Sequence, residues 1–438
     1  MENAPLMLRR ILPLLLFALP AAAQDDTTPD GVVTPVGITV FQMAVPDAFM
    51  QGGSPDTRGV TEALTGTIRR DLSITGYFNL VDKAAFLVDP AKEGMTPNYK
   101  SWFTIGSQGL IKAGYAIQGN QVVVDLRLFS VDGGKQISLT GFEAPATVAV
   151  DAAALRAHAH KFVNEVIRYY TKSPGFFGSQ IVTVKRTGSG KSLFMVSADG
   201  LEESRLTSDD SINMLPTLRK GRIYFTSFRN GGPHLFALYG GQARPFASFQ
   251  GLNTGAELSP SGHAVAATLS KDGNPELYLL NPESGQVVKR LTNSWSIDTT
   301  PTWSPDGSRL AFVSDRHGSP QIWIMNAGGG GERRLTFQGD YNTTPEWSPR
   351  GDKIVFTARD ERNVFDIFTV RVADGGIERI TQNQGNNEEP SWSPDGRHIV
   401  FTSTRNGAAE LFIATEDGSK QFQITKGKGG YFTPYWAK

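Results

Sequence analysis

One phrase recurs through the C-terminal half of this chain and limits what it can become. Pro301-Thr302-Trp303-Ser304-Pro305-Asp306-Gly307 returns as Pro345-Glu346-Trp347-Ser348-Pro349-Arg350-Gly351 and as Pro390-Ser391-Trp392-Ser393-Pro394-Asp395-Gly396, at spacings of 44 and 45 residues. Worn copies lie upstream at 257–262 and 216–221, and Tyr435-Trp436 brings one more Trp at the same phase. Self-similarity at roughly 40–45 residues, with several short strands per period, is the signature of β-propeller blades.

One period explains the assignment. After a short extended run ending at Trp303, Ser-Pro-Asp-Gly forms a reversal in which Pro presets φ, Asp caps and Gly takes positive φ. Strands follow at 310–314 and 321–326, separated by the turn 315–320, and Arg333-Arg334-Leu335-Thr336 supplies a fourth, outer strand. The ends of the repeat region are out of phase with each other. Runs at 181–184, 193–196 and 204–207 match the second to fourth strands of a blade, whereas Tyr435-Trp436 matches a first strand without followers. One blade built from both ends closes the ring and leaves no open sheet edge. Outer-strand signatures at 205–207, 244–246, 290–292, 334–336, 379–381 and 423–425 give the count. The expectation is an all-β, six-bladed β-propeller over 178–438, closed by the C-terminal strand.

The N-terminal third lacks the repeat. Arg9-Arg10, an apolar run from Ile11 to Leu19 and Ala21-Ala22-Ala23 read as a secretory signal over 1–23, cleaved after Ala23. The run is far short of the ~20 apolar residues a membrane span needs. Residues 24–35 are polar and acidic, with Pro29, Gly31 and Pro35, and read as a mobile arm. Residues 36–172 read as a small α/β domain. Its expected elements are a strand at 37–40, an amphipathic helix over 61–72 with Val60, Leu64, Ile68 and Leu72 on one face, and a strand over 76–81. A hairpin of 110–117 with 122–129 around Gly119-Asn120 and a long helix over 152–170 complete it. Ser173 to Gln180 is the hinge.

Composition closes several routes. Forty-three basic residues balance 43 acidic ones, so nothing marks a nucleic-acid or membrane surface, and there is no cysteine for disulfides. Gly188-Ser189-Gly190-Lys191-Ser192 lacks the earlier Gly of a phosphate-binding loop and has no helix to receive it, so it reads as a hairpin turn. No nucleophile elbow G-x-S-x-G occurs. His158 and His160, at i and i+2 on a helix, face different ways and form no metal pair. Asp298, Asp340, Glu388 and Glu389 fall just before first strands, where the chain nears the channel mouth. Carboxylates converging there could hold a hard cation, although a solvated polar funnel is the plainer reading, and no cofactor is expected. Two functions stand at this point: a binding adaptor, or a propeller hydrolase or lyase using those carboxylates.

Further stretches narrow the choice. Together with the blades, Ile68-Arg69-Arg70-Asp71-Leu72-Ser73-Ile74-Thr75-Gly76-Tyr77-Phe78 and the junction Ala154-Leu155-Arg156…His160…Asn164-Glu165…Gly175-Phe176-Phe177 resemble the TolB family, the periplasmic component of the Tol–Pal envelope system. The resemblance covers the whole mature chain, with Thr75-Gly76-Tyr77 where the family usually has Ser-Gly before Phe. It implies a soluble, monomeric binding protein without catalysis, serving outer-membrane integrity and cell division. The lipoprotein Pal would dock at the channel mouth, the N-terminal arm would contact TolA, and bacteriocins would exploit the system.

Motif matching carries the Pal-facing positions onto Leu252, Asn253, Thr254, Asp298, Thr299, Thr300, Asn342, Thr343, Thr344, Asn387, Glu388 and Glu389. Asp298-Thr299-Thr300-Pro301 aligns with the family's N-T-E-P loop, and Leu252 stands where a His is often found. In the arm, Asp25, Asp26, Val32 and Val33 are the TolA-facing residues by the same resemblance.

Overall fold

The computed structural model describes residues 40–52, 55–427 and 430–438. The signal, the arm with Asp25, Asp26, Val32 and Val33, and nearly all of the strand expected at 37–40 lie outside the described residues.

In the N-terminal unit the first strand is Phe41–Ala44, just after the expected one. Its ladder sets that position: Phe41 pairs with Phe78 and Met43 with Leu80, in parallel, before the strand passes to Gly109 on its other side. The sheet runs Phe78–Leu80, Phe41–Ala44, Gly109–Gln118, Gln121–Ser130, Lys135–Ile137, with two short strands added at its margins. The hairpin turns at Gly119-Asn120, where Gly119 takes φ 61°.

Val60, Leu64, Ile68 and Leu72 are wholly buried against this sheet. Each contributes about 1.5–3 kcal/mol of apolar burial. Their helix departs from expectation at both ends. It opens with a π-helical turn, Glu62–Gly66, and continues as an α-helix over Thr67–Thr75. Thr65 and Thr67 return their hydroxyls to the carbonyls of Thr61 and Ala63, back-bonding that loosens a helical ladder. Gly76 stops the helix in the left-handed region. The second long helix, Ala152–Thr171, starts where Asp151 accepts the amide of Ala154 and ends at Lys172, φ 58°.

Six four-stranded antiparallel sheets follow. One is composite: Glu203–Arg205, Gly190–Ser197 and Gln180–Thr187 come from the start of the region and Tyr431–Trp436 from the end of the chain, with Trp436 opposite Ile181. The Ser-Pro-Asp-Gly turn is a small hydrogen-bonded knot. Gly307 donates to the Ser304 carbonyl at 2.9 Å and takes φ 71°, while Ser304 Oγ donates to Asp306 Oδ1 at 2.5 Å. That hydroxyl, with the Ser308 amide and hydroxyl, holds the Asp306 carboxyl down to about 2.

Except for Gln242–Ala247, the outer strands are shorter than the sequence suggests, because they end at the Arg or Gln before the Leu-Thr or Ile-Thr pair. In Arg333–Arg334 only two residues pair; Leu335 and Thr336 then turn inward and are buried. The Thr hydroxyl is the reason. Thr336 Oγ1 accepts the Ile322 amide at 3.0 Å and donates to Gln321 Oε1 at 2.8 Å. Thr207, Thr292, Thr381 and Thr425 accept the equivalent amides of Leu193, Leu277, Ile367 and Leu411. Each thus supplies the backbone partner that a missing strand residue would have provided.

Candidate partner-binding mouth of the propeller

Each innermost strand begins in register, skips, and resumes. The skips fall between Met214/Thr217, Thr254/Glu257, Thr299/Thr302, Thr343/Glu346, Glu388/Ser391 and Phe432/Tyr435. At every skip one residue takes a positive φ: Leu215 52°, Gly255 59°, Thr300 48°, Thr344 47°, Glu389 58° and Thr433 43°. Only glycine enters that region freely; for β-branched Thr it is strained. These six residues and the prolines beside them line one cavity on the channel axis. The hydroxyls of Thr300 and Thr433 are buried there without a partner.

The positions expected from sequence separate into three layers. The first of each strand, Asn253, Asp298, Asn342 and Asn387, is buried inside its blade and offers nothing to a partner. Asp298 Oδ2 accepts Arg316 Nη2 at 2.7 Å, Asn387 Oδ1 accepts Arg405 Nη2 at 2.9 Å, Asn342 Nδ2 donates to Gln321 Oε1 at 2.8 Å, and Asn253 Nδ2 donates to the Phe249 carbonyl at 2.8 Å. The second layer holds Thr254, Thr299, Thr343 and Glu388. Thr254 is buried and accepts the Thr226 hydroxyl at 3.0 Å; the other three are half-buried. The third layer, Thr300, Thr344 and Glu389, faces the cavity. Leu252 is half-buried in the preceding loop, its amide on Ser270 Oγ at 2.7 Å.

The four acids considered for a cation do not converge. Asp298 is consumed by Arg316, and Asp340 is paired with Arg359 at 2.9 Å away from the axis. Glu388 and Glu389 remain. Burial pushes Glu389 up to about 7, against the Thr433 amide at 2.5 Å and the Thr402 hydroxyl at 3.5 Å; burial raises Glu388 as well. Deeper in the channel each acid has its own cation. Glu257 Oε1 accepts Arg219 Nη2 and the Tyr435 hydroxyl, both at 3.2 Å, and Glu346 pairs with Lys438.

The sequence reading missed an apolar rim. Trp295 is 82% exposed, Phe337 71% and Ile297 46%, all in the loops that lead into first strands. Ile212, Phe228 and Tyr341 extend it; the Phe228 amide bonds the Ile212 carbonyl at 3.0 Å, joining adjacent loops. Its sequence signal is modest: an apolar residue such as Phe337 directly after the outer-strand Thr. The N-terminal domain packs at the opposite ends of the inner strands, where His398 of a Ser-Pro-Asp-Gly turn meets the Thr75 carbonyl at 2.9 Å. Among the described residues, the mouth face is left clear of it.

Comparison with known proteins agrees with this architecture. The profile described as TolB beta propeller domain matches residues 167–365 and 361–438, and that of the TolB amino-terminal domain matches 32–137. The Tol-Pal system protein TolB of Anaeromyxobacter dehalogenans strain 2CP-C is 39% identical over 447 residues, covering 98% of this chain and 99% of that protein. That of Myxococcus xanthus strain DK1622 is 39% identical over 430 residues, 97% of each. The crystal structure of TolB from Acinetobacter baumannii superimposes with a TM-score of 0.79 at 24% identity, covering 94% of this chain and 98% of that one, and shows the shared fold.

Proposed function

The chain belongs to the TolB family of Tol–Pal system proteins, which are not enzymes, and from that premise we propose that it is a periplasmic adaptor. It docks the lipoprotein Pal at the propeller mouth and reaches TolA through residues 24–35, supporting outer-membrane integrity and division. One observation carries the Pal assignment: exposed Trp295, Ile297 and Phe337, on two neighbouring loops, flank a concave ring of inner-strand residues. Exposed aromatic residues around a concavity are what a protein partner covers, and Trp and Tyr dominate such contacts. A loop or helix end entering the mouth meets the ring of Thr300, Thr344, Glu389 and Thr433, while its shoulders meet the rim. The signal is removed after Ala23 and the mature protein acts as a monomer.

In the arm, Asp25, Asp26 and Asp30 resist packing, and Val32, Val33 and Val36 add a short strand to a partner's sheet edge. Deleting residues 24–35 from the mature protein separates the two contacts: TolA binding is lost and Pal binding stays. Retained TolA binding by the deletion overturns the arm assignment.

A further inference from the structure

Where the two domains meet, one propeller turn is held by cations of the other domain. Asp199 sits between the strands Gly190–Ser197 and Glu203–Arg205 and is buried. Arg156 Nη2 reaches its Oδ2 at 2.7 Å and Glu202 at 3.2 Å through Nε, and Arg70 Nε donates to its carbonyl at 2.7 Å. His160 completes the set, with Nε2 3.8 Å from Asp199 Oδ2 and Nδ1 2.6 Å from Asp71 Oδ2. Its ring lies flat on Phe177 of the hinge at 5.8 Å. Lys161 lines the same cleft.

Asp71 makes the arrangement unusual. It is fully buried and its Oδ1 has no partner. A buried carboxylate with a bare oxygen is costly unless a proton or cation stays close. Arg156 is committed to Asp199 and Glu202, so a proton shared between Asp71 and His160 is what balances the two buried acids.

We propose that this proton is the clasp between the domains: with it, His160 bridges Asp71 of its own domain to Asp199 of the propeller, and without it the interface opens about the hinge at 173–180. The direction of titration agrees. Burial pushes Asp71 up to about 7, and the Asp71 hydrogen bond and charge raise His160 in spite of burial. Both groups hold protons more tightly closed than open, so the Asp71 contribution to closure falls away from the ordinary carboxylate value up to about 7, and that of His160 is full below the ordinary His value and lost as pH rises through its raised one. The same three side chains are the one group of metal-capable residues among the described residues. Both Asp199 oxygens are already bonded, Oδ1 by Ser197 Oγ and the Leu201 amide and Oδ2 by Arg156, which leaves no room for an ion.

The test uses the mature full chain, whose lack of cysteine allows two labels to be placed freely. Spin labels at Leu87→Cys and Val288→Cys, both exposed, report the interdomain distance. A single narrow distribution at pH 6 is expected to broaden and shift at pH 8.5. Asp71→Asn, an uncharged isostere, is expected to abolish that dependence and to lower the His160 titration midpoint by NMR. An unchanged distribution across pH, a His160 midpoint at or below the ordinary imidazole value, or stoichiometric zinc binding that Asp71→Asn removes would each overturn the proposal.

Discussion

Trp436 Nε1 donates to Ser179 Oγ at 2.7 Å, so the last strand of the chain is fastened to the hinge that begins the propeller. Trp436 is fully buried, and Phe176 meets it edge-on at 5.2 Å. Ring closure and interdomain packing therefore share one indole.

Trp436→Ala should cost about 3–5 kcal/mol, the range for losing a core aromatic, and deleting 431–438 should abolish cooperative unfolding. Ser179→Ala, which orphans the indole N–H and removes the hydroxyl donated to the Phe176 carbonyl at 2.5 Å, should cost about 1–3 kcal/mol. Chemical denaturation measures all three. A deletion variant that unfolds like the intact protein contradicts closure by this strand.

Thr336→Val keeps shape and removes a hydroxyl that serves Ile322, Gln321 and Asn342 at 3.0, 2.8 and 3.2 Å. Leaving those buried groups unpaired should cost about 1–3 kcal/mol. Replacing exposed Val288 by Thr should change little. Equal midpoints for Thr336→Val and the parent protein would show that the inward Thr is only filling space.

Glu389 titrates at about 7 in the folded protein because it is buried. A carboxyl raised above its unfolded value loses stability as pH climbs from the unfolded value through the folded one. Glu389→Gln removes the penalty, so its advantage in unfolding free energy by chemical denaturation should widen between pH 5 and pH 8, by up to about 2 kcal/mol since the group still touches channel water. A gap that stays constant with pH would place the Glu389 titration elsewhere.

Much of this architecture is legible in the chain. The Trp-Ser-Pro-Asp-Gly period and the orphan Tyr435-Trp436 strand suffice for six blades and the composite sheet, because each blade repeats the same local turn chemistry. Element ends are harder to read: the outer strands look two residues longer because Leu335-Thr336 carries strand-like residues that serve the core instead. Within the mouth, sequence alone places Asp298 beside Thr300, and only the fold turns the first into its blade and the second toward the axis. The Arg316 that neutralises Asp298 lies a strand away, so a plausible cation ligand is in fact scaffold. Asp71, His160 and Asp199 are invisible as a group, since 128 residues separate the outer two and neither domain alone contains all three.

Calorimetry of the soluble Pal domain against the mature protein and two mouth variants, Trp295→Glu and Thr299→Arg, tests the central claim most directly. Both positions are on the mouth face, away from the blade cores, so melting temperatures should hold while Pal binding weakens at least about thirtyfold, the ~2 kcal/mol of a hot-spot residue. Folded variants that bind Pal as tightly as the parent protein would contradict docking at the propeller mouth.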